Sequence, residues 1–216
     1  MLKLSRTYIA AFFIPAVLVY AAYAIFGMYP FGEKSILVLD LNGQYVYYFE
    51  ALRAAFHGNG SVFYDWSGNL SGGFMGTVGY YLASPFSILA VILPEKNVEL
   101  AILLMQLGKL GCAGVTFNHY VRKSKKVSEA GSLIFSTMYA MMAYGVIQLM
   151  NPMWLDSLVF LPLICLGIEM LVDDGNMKLY IPSLALMCIS ARSPSWNVQD
   201  PRQLFGRGVY AVCHAG

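Results

Sequence analysis

Residues 8–28 read Tyr8-Ile-Ala-Ala-Phe-Phe-Ile-Pro-Ala-Val-Leu-Val-Tyr-Ala-Ala-Tyr-Ala-Ile-Phe-Gly-Met28, and this stretch decides the fold class. It has no charged side chain and is about as long as a helix must be to cross a bilayer. Of the 216 residues, 58% are hydrophobic and only 12% are charged, about half the charged share of a soluble domain. The apolar runs are too long for barrel strands and lack their alternation. We therefore predict an all-α integral membrane protein.

Five apolar segments are predicted to span the membrane, and the charges around them set the orientation. Lys3 and Arg6 precede the first segment, which places the N-terminus in the cytoplasm by the positive-inside rule. A cleaved signal peptide is the alternative for this segment, but the apolar run continues past the faint cleavage site. The predicted spans are 8–28, 98–120, 128–149, 154–172 and 178–190, the last of them incomplete.

A sixth apolar segment, 77–93, is predicted not to cross the membrane. If it crossed, the basic cluster at 122–126 would lie outside the cell, against the positive-inside rule. The segment is short and broken at Ser84-Pro85, which favours a position on or within the outer leaflet. Residues 29–97 then form one long extracellular loop, and the active side of the protein faces outward.

Two acids are predicted to lie on this outer side, at the membrane surface. Asp40 follows the first span, and Asp156 ends the short loop Asn-Pro-Met-Trp-Leu-Asp that precedes the fourth. Carboxylates beside hydrocarbon cost free energy, so both are functional candidates for general-base or cation-holding work. The alternatives are a solvated loop acid for Asp40 and a helix cap for Asp156.

Several neighbours of these acids are candidate substrate-binding residues. Gln44 and Tyr45 follow Asp40, and Trp154 precedes Asp156, although Trp154 also suits an ordinary interfacial belt. The glycine-rich stretch 63–85 adds the aromatic residues Trp66, Tyr80 and Tyr81. Aromatic faces next to small residues suit sugar rings or acyl chains, and they equally suit a loop that packs on a membrane.

Lys109 lies in the middle of the predicted span 98–120, where an amine needs a partner such as a lipid phosphate or a buried acid. We favour a functional role over an incidental structural pair. Cys112 and Cys165 lie inside apolar segments without metal-ligand spacing, so we interpret them as packing residues. The net charge of +2 forms no basic stripe, which argues against nucleic acid as a partner.

The order of these motifs resembles the bacterial YfhO family of multispanning membrane proteins, which are related to GT-C glycosyltransferases. The matching features are a first span, an Asp-containing outer segment with Gln-Tyr, a Trp…Gly-Gly loop, Tyr-Tyr-x-x-Ser-Pro-Phe, and Asn-Pro-Met-Trp-Leu-Asp. The resemblance covers about residues 1–190. It implies the N-terminal part of a GT-C-like helical bundle with a long first extracellular loop.

The resemblance also implies an activity: transfer of a sugar, outside the cell membrane, from a polyprenyl-phosphate donor to a cell-surface polymer such as lipoteichoic acid. GT-C enzymes carry a catalytic acid in the first outer loop, the position of Asp40 here, and the family pattern includes the acid matched by Asp156. Lys109 or Arg53 would then meet the departing lipid phosphate. Some GT-C enzymes use a divalent metal, which two acids alone do not establish.

Two other classes of function stay open at the level of sequence. Charged residues within spans also suit a transporter or a flippase for lipid-linked sugars. A structural or assembly role is the weakest reading, because it gives little need for acids at the membrane boundary.

The C-terminus departs from the family pattern. After Ser190 the apolar run stops, and residues 191–216 show neither helical periodicity nor a membrane-compatible stretch. We interpret them as a frameshifted or foreign tail on a truncated protein, with a genuine short tail as the alternative. On this interpretation the activity belongs to a longer parent protein, and we expect the 216-residue piece to be inactive.

Overall fold

The computed structural model describes residues 6–65 and 72–190. The sequence-based expectations for Trp66 and for the tail 191–216 therefore fall outside the described residues. Within them the chain is helical almost throughout, and its strands are limited to the antiparallel pair β1 and β2, two residues each. The prediction of an all-α membrane protein is confirmed.

Nine α-helices are described, together with two π-helices that carry candidate site residues. The α-helices are α1 Arg6–Ile25, α2 Val46–Phe56, α3 Phe74–Thr77, α4 Ile88–Ile92, α5 Val98–Ser124, α6 Glu129–Ala140, α7 Ala143–Ile147, α8 Pro152–Asp174 and α9 Tyr180–Ser190. The strands are β1 Tyr64–Asp65 and β2 Gly72–Gly73, and the π-helices are Leu41–Tyr45 and Val78–Leu82.

Three helices among the described residues are long and apolar enough to cross a membrane: α1, α5 with the turn before it (Glu95–Ser124), and α8. If each of two bent helix pairs counts as one span, the number rises to five. One joins Phe74–Leu82 to Pro85–Ile92 at 107°, and the other joins Glu129–Ala140 to Ala143–Met150 at 46°. The sharp bend falls at Ser84-Pro85, where the sequence predicted a break. The membrane depth of each segment stays a prediction.

Helix α5 is the centre of the bundle, since α1, α6 and α8 all pack against it and α9 packs on α8. The crossing with α1 is close because Gly114 has no side chain: a Cβ at that position would overlap the carbonyl oxygen of Ala11. Buried side chains of α1, α5 and α8, among them Val19, Leu110 and Leu158, fill the space between these helices. This frame fixes where the mid-helix residues of α5 and α8 can meet.

The predicted outer loop, 29–97, folds onto the first turns of α5 and α8. Its buried side chains, including Tyr45, Phe74 and Leu82, form one core with Ile102 of α5 and Met153 of α8. The two halves of the bent segment 74–92 are part of this core. The outer region is therefore packed against the bundle over most of its length.

Candidate functional site

Asp40 stands at an irregular point of the backbone. Leu39, immediately before it, adopts a left-handed conformation with φ of 50°, which costs an L residue roughly 1–2 kcal/mol. The π-helix Leu41–Tyr45 begins directly after Asp40, and π-helical turns occur frequently at functional sites. The amide of Gln44 donates a hydrogen bond of 3.3 Å to Oδ1 of Asp40. Asp40 is thus half-buried, and its carboxylate is hydrogen-bonded by a neighbour.

Four tyrosines pack against one another near this acid. The ring of Tyr81 lies 4.5 Å from Tyr80, 4.9 Å from Tyr48 and 5.4 Å from Tyr45, measured between centroids. Asp40 is close enough to act electrostatically on the phenols of both Tyr45 and Tyr81. Tyr45 is fully buried, whereas Tyr48, Tyr80 and Tyr81 are partly exposed. Burial, above all, raises the pKa of the Tyr45 phenol.

The two π-helices supply this group of residues from separate parts of the chain. Leu41–Tyr45 carries Gln44 and Tyr45, while Val78–Leu82 carries Tyr80 and Tyr81. The contact of Tyr45 with Tyr81 joins the two π-helices, Tyr80 packs on Tyr81, and Gln44 hydrogen-bonds Asp40, so residues singled out from two parts of the sequence form one group. We call this group, with Tyr48, the Asp40 cluster.

Glu99, in the first turn of α5, anchors the segment that leads to Asp40. Its Oε1 accepts hydrogen bonds from the hydroxyl of Ser35 at 2.7 Å and from the backbone N–H of Ile36 at 3.0 Å. The side chain of Ile36 is buried in the outer core. The chain is thus fixed to α5 four residues before Asp40, which limits the positions available to the carboxylate.

A second polar group lies deeper, between α5, α8 and the bend at Ser84. Lys109 forms an ion pair of 3.0 Å with Oδ2 of Asp156, and the exposed fractions of the two side chains are 2% and 0%. The lysine also donates 2.8 Å to the carbonyl of Pro152. The hydroxyl of Ser84 donates 3.0 Å to the other oxygen, Oδ1, of Asp156. We call these three side chains the buried triad.

The buried triad corrects two expectations from the sequence. Asp156 is not the cap of its helix, because α8 begins at Pro152 with Asn151 before it, and Asp156 lies more than one turn inside. The side chain of Asp156 is fully buried among protein groups, and its position relative to the membrane surface stays a prediction. Lys109 is paired with a buried acid, which was one of the two kinds of partner considered from the sequence. Its ammonium is therefore not free for a lipid phosphate.

Arg53 is also engaged. Its guanidinium donates to the carbonyl oxygens of Val91, at 2.8 Å, and of Leu93, which closes the end of α4. The expectation that Arg53 meets a substrate phosphate therefore competes with a structural role that joins α2 to α4. Trp154 is half-buried and packs against the outer core. Among the described residues, no hydrogen bond or ion pair joins Asp40 to Asp156.

Sequence reasoning missed Tyr48, Ser84 and Glu99. Tyr48 follows Gln44 by four residues, so helical spacing would have placed it on the same face. Ser84 carried a signal only for a turn, because Ser before Pro commonly caps one. The contact of Glu99 with Ser35 spans 64 residues and leaves no local pattern. The sequence made no prediction of a metal, and the described residues contain no group of three or more His, Cys, Asp or Glu side chains placed to hold an ion.

A family model, described as the bacterial membrane protein YfhO, matches residues 10–191 of the chain. This range includes both the Asp40 cluster and the buried triad. No curated protein and no solved structure matches the chain.

Proposed function

We propose, from the premise that this chain belongs to the bacterial YfhO family of membrane proteins, that it carries the outer-face site of a glycosyltransferase. The donor would be a polyprenyl-phosphate sugar, and the acceptor a cell-surface polymer such as lipoteichoic acid. Such a donor is anchored in the bilayer, so the proposal requires the site to lie at the membrane surface.

The observation that carries this proposal is the Asp40 cluster. A half-buried acid, hydrogen-bonded by Gln44, immediately precedes the π-helix whose Tyr45 packs on Tyr81. Three rings of this group, Tyr48, Tyr80 and Tyr81, are partly exposed. Partly exposed aromatic faces with hydroxyl groups can pack on a sugar ring and hydrogen-bond its hydroxyls. A carboxylate within reach of that ring has the chemistry of a general base.

The proposed reaction is a displacement at the anomeric carbon of the donor sugar. Asp40 takes the proton from the acceptor hydroxyl while the oxygen of that hydroxyl attacks the anomeric carbon and forms a new glycosidic bond. The bond between the anomeric carbon and the phosphate oxygen breaks, and polyprenyl phosphate leaves with the electron pair. A cation normally helps such a leaving group. Lys109 and Arg53 have protein partners, so we assign this role to neither.

A transporter or flippase for lipid-linked sugars is the second candidate, and the buried pair of Lys109 and Asp156 favours it. Ionisable pairs inside a membrane domain often mark a transport pathway. An assay in detergent distinguishes the two functions, because detergent provides no membrane gradient for transport, whereas transfer of a sugar needs none. We expect the longer parent protein predicted from the sequence to form glycosylated acceptor from supplied polyprenyl-phosphate sugar, detected by mass spectrometry, with the 216-residue chain assayed in parallel. Absence of product under conditions where the parent still binds donor would favour the transporter.

The proposal requires the Asp40 cluster and the basic cluster at 122–126 to lie on opposite sides of the membrane. Helix α5 separates them, since Glu99 is in its first turn and Arg122 is in its last. Its 27 residues extend for about 40 Å, enough to cross a bilayer. We expect an impermeant maleimide to label an Asn59→Cys variant on intact cells.

The matched Lys123→Cys variant should react only after the cells are opened. Both positions are exposed, and the native cysteines are replaced in each background. Labelling of both variants on intact cells would contradict the orientation.

A further inference from the structure

The buried triad uses both oxygens of one carboxylate group to join three parts of the chain. Oδ2 of Asp156 pairs with Lys109 of α5, and Oδ1 accepts from Ser84 in the bend of the outer segment. All three side chains are buried. A substrate therefore has no access to Asp156 in this arrangement, which argues against a direct part in the chemistry.

Ser84 lies two residues after the π-helix that carries Tyr80 and Tyr81. The same hydroxyl that donates to Asp156 accepts from the backbone N–H of Phe86 at 3.4 Å, so it also closes the turn after the bend. The ring of Phe86 in turn lies 5.6 Å from the ammonium of Lys109. The 107° bend thus contacts α8 through Ser84 and Asp156, and α5 through Phe86 and Lys109.

We propose that Ser84, Lys109 and Asp156 are positioning residues that hold the Tyr80–Tyr81 turn against Tyr45 and Tyr48, in the segment that follows Asp40. The proposal rests on the proposed function, because that function explains why the position of the Tyr80–Tyr81 turn matters. The contacts themselves do not depend on the proposed function. An apolar pair in place of Lys109 and Asp156 would fill the same space and stabilise the bundle as well or better. Such a pair could not accept a hydrogen bond from Ser84, so only the polar arrangement fixes the bend.

A buried cysteine near the tyrosines provides a test without any substrate. Leu82 ends the π-helix and is 3% exposed, so a Leu82→Cys variant, in a background with the four native cysteines replaced by Ala, reports opening of the turn. Its rate of reaction with N-ethylmaleimide is measured in membranes. A second probe, Ala113→Cys, lies fully buried in α5 and reports opening of the bundle.

Ser84→Ala should raise the reaction rate at the Leu82→Cys probe by about fivefold, the effect of losing one hydrogen bond of ordinary strength. The rate at Ala113→Cys should stay unchanged. Ser84→Thr keeps the hydroxyl and should react at nearly the original rate. The double variant Lys109→Met/Asp156→Leu should raise the rate at Leu82→Cys as much as Ser84→Ala does, and adding Ser84→Ala to it should have no further effect.

Unchanged reactivity at Leu82→Cys in the Ser84→Ala variant would overturn the proposal. An equal rise at both probes would also overturn it, because the triad would then only stabilise the bundle. If the double variant fails to accumulate, Ser84→Ala and Ser84→Thr still decide the outcome. Since no sugar is involved, the result stands or fails separately from the transfer assay.

Discussion

Replacing Asp40 by Asn is expected to lower the rate of sugar transfer by the parent protein about 10²–10⁴-fold, the usual contribution of a general base. The amide keeps the size of the carboxylate, and its oxygen can still accept the hydrogen bond from Gln44. It cannot take a proton from the acceptor hydroxyl. Membrane insertion and donor binding should therefore persist while product formation, measured by mass spectrometry, nearly disappears.

The matched control for this change is Asp173→Asn, which removes an exposed acid near the opposite end of α8. We expect it to leave the transfer rate unchanged. Full activity in the Asp40→Asn variant would show that Asp40 is not the general base.

Replacing Lys109 by Met is expected to destabilise the protein by about 3–5 kcal/mol, the typical result of removing one partner from a buried ion pair. The variant leaves Asp156 fully buried with only the hydroxyl of Ser84 as a donor. We expect little folded protein in membranes. Heating in detergent, followed by size-exclusion chromatography, should show a lower temperature of aggregation for what remains.

Lys96→Met is the matched control, because Lys96 is exposed on the same outer region. Its stability should stay within about 0.5 kcal/mol of the original, as for most surface changes. The double variant Lys109→Met/Asp156→Leu should recover most of the loss, since no charge is then buried alone. A Lys109→Met variant as stable as the original would show that the ion pair is not the contact that holds α5 to α8.

The helical membrane class was predictable because it depends on composition and on the length of apolar runs, both of which are local. Residues 8–28 alone gave the length of a span. The break at Ser84-Pro85 was also predictable from local sequence, since a proline disfavours the helical conformation of the residue before it. Proline alone does not decide such a break, because α1 and α8 continue through Pro15 and Pro162. The packing of the outer segment on α5 and α8 was not predictable, because it depends on side chains that are distant in sequence.

In the candidate site, too, features that depend on neighbours in sequence were predictable and contacts between distant residues were not. Asp40, Gln44 and Tyr45 are neighbours in the chain, and the sequence singled them out together. The need of Lys109 for a partner followed from its depth, but the choice of Asp156 required the crossing of α5 and α8, 47 residues apart in sequence. The engagement of Arg53 by the end of α4 could not be read from the sequence, because the acceptors are backbone carbonyls, which every residue has.

The most direct test of the central claim is the position of the donor in a structure of the parent protein bound to a non-hydrolysable polyprenyl-phosphonate sugar. The account predicts that the sugar ring packs on Tyr80 and Tyr81, with its anomeric carbon facing Asp40 and room for an acceptor hydroxyl within hydrogen-bonding distance of the carboxylate. A sugar bound away from Asp40, or in a path that runs between α5 and α8 beside Lys109 and Asp156, would contradict it.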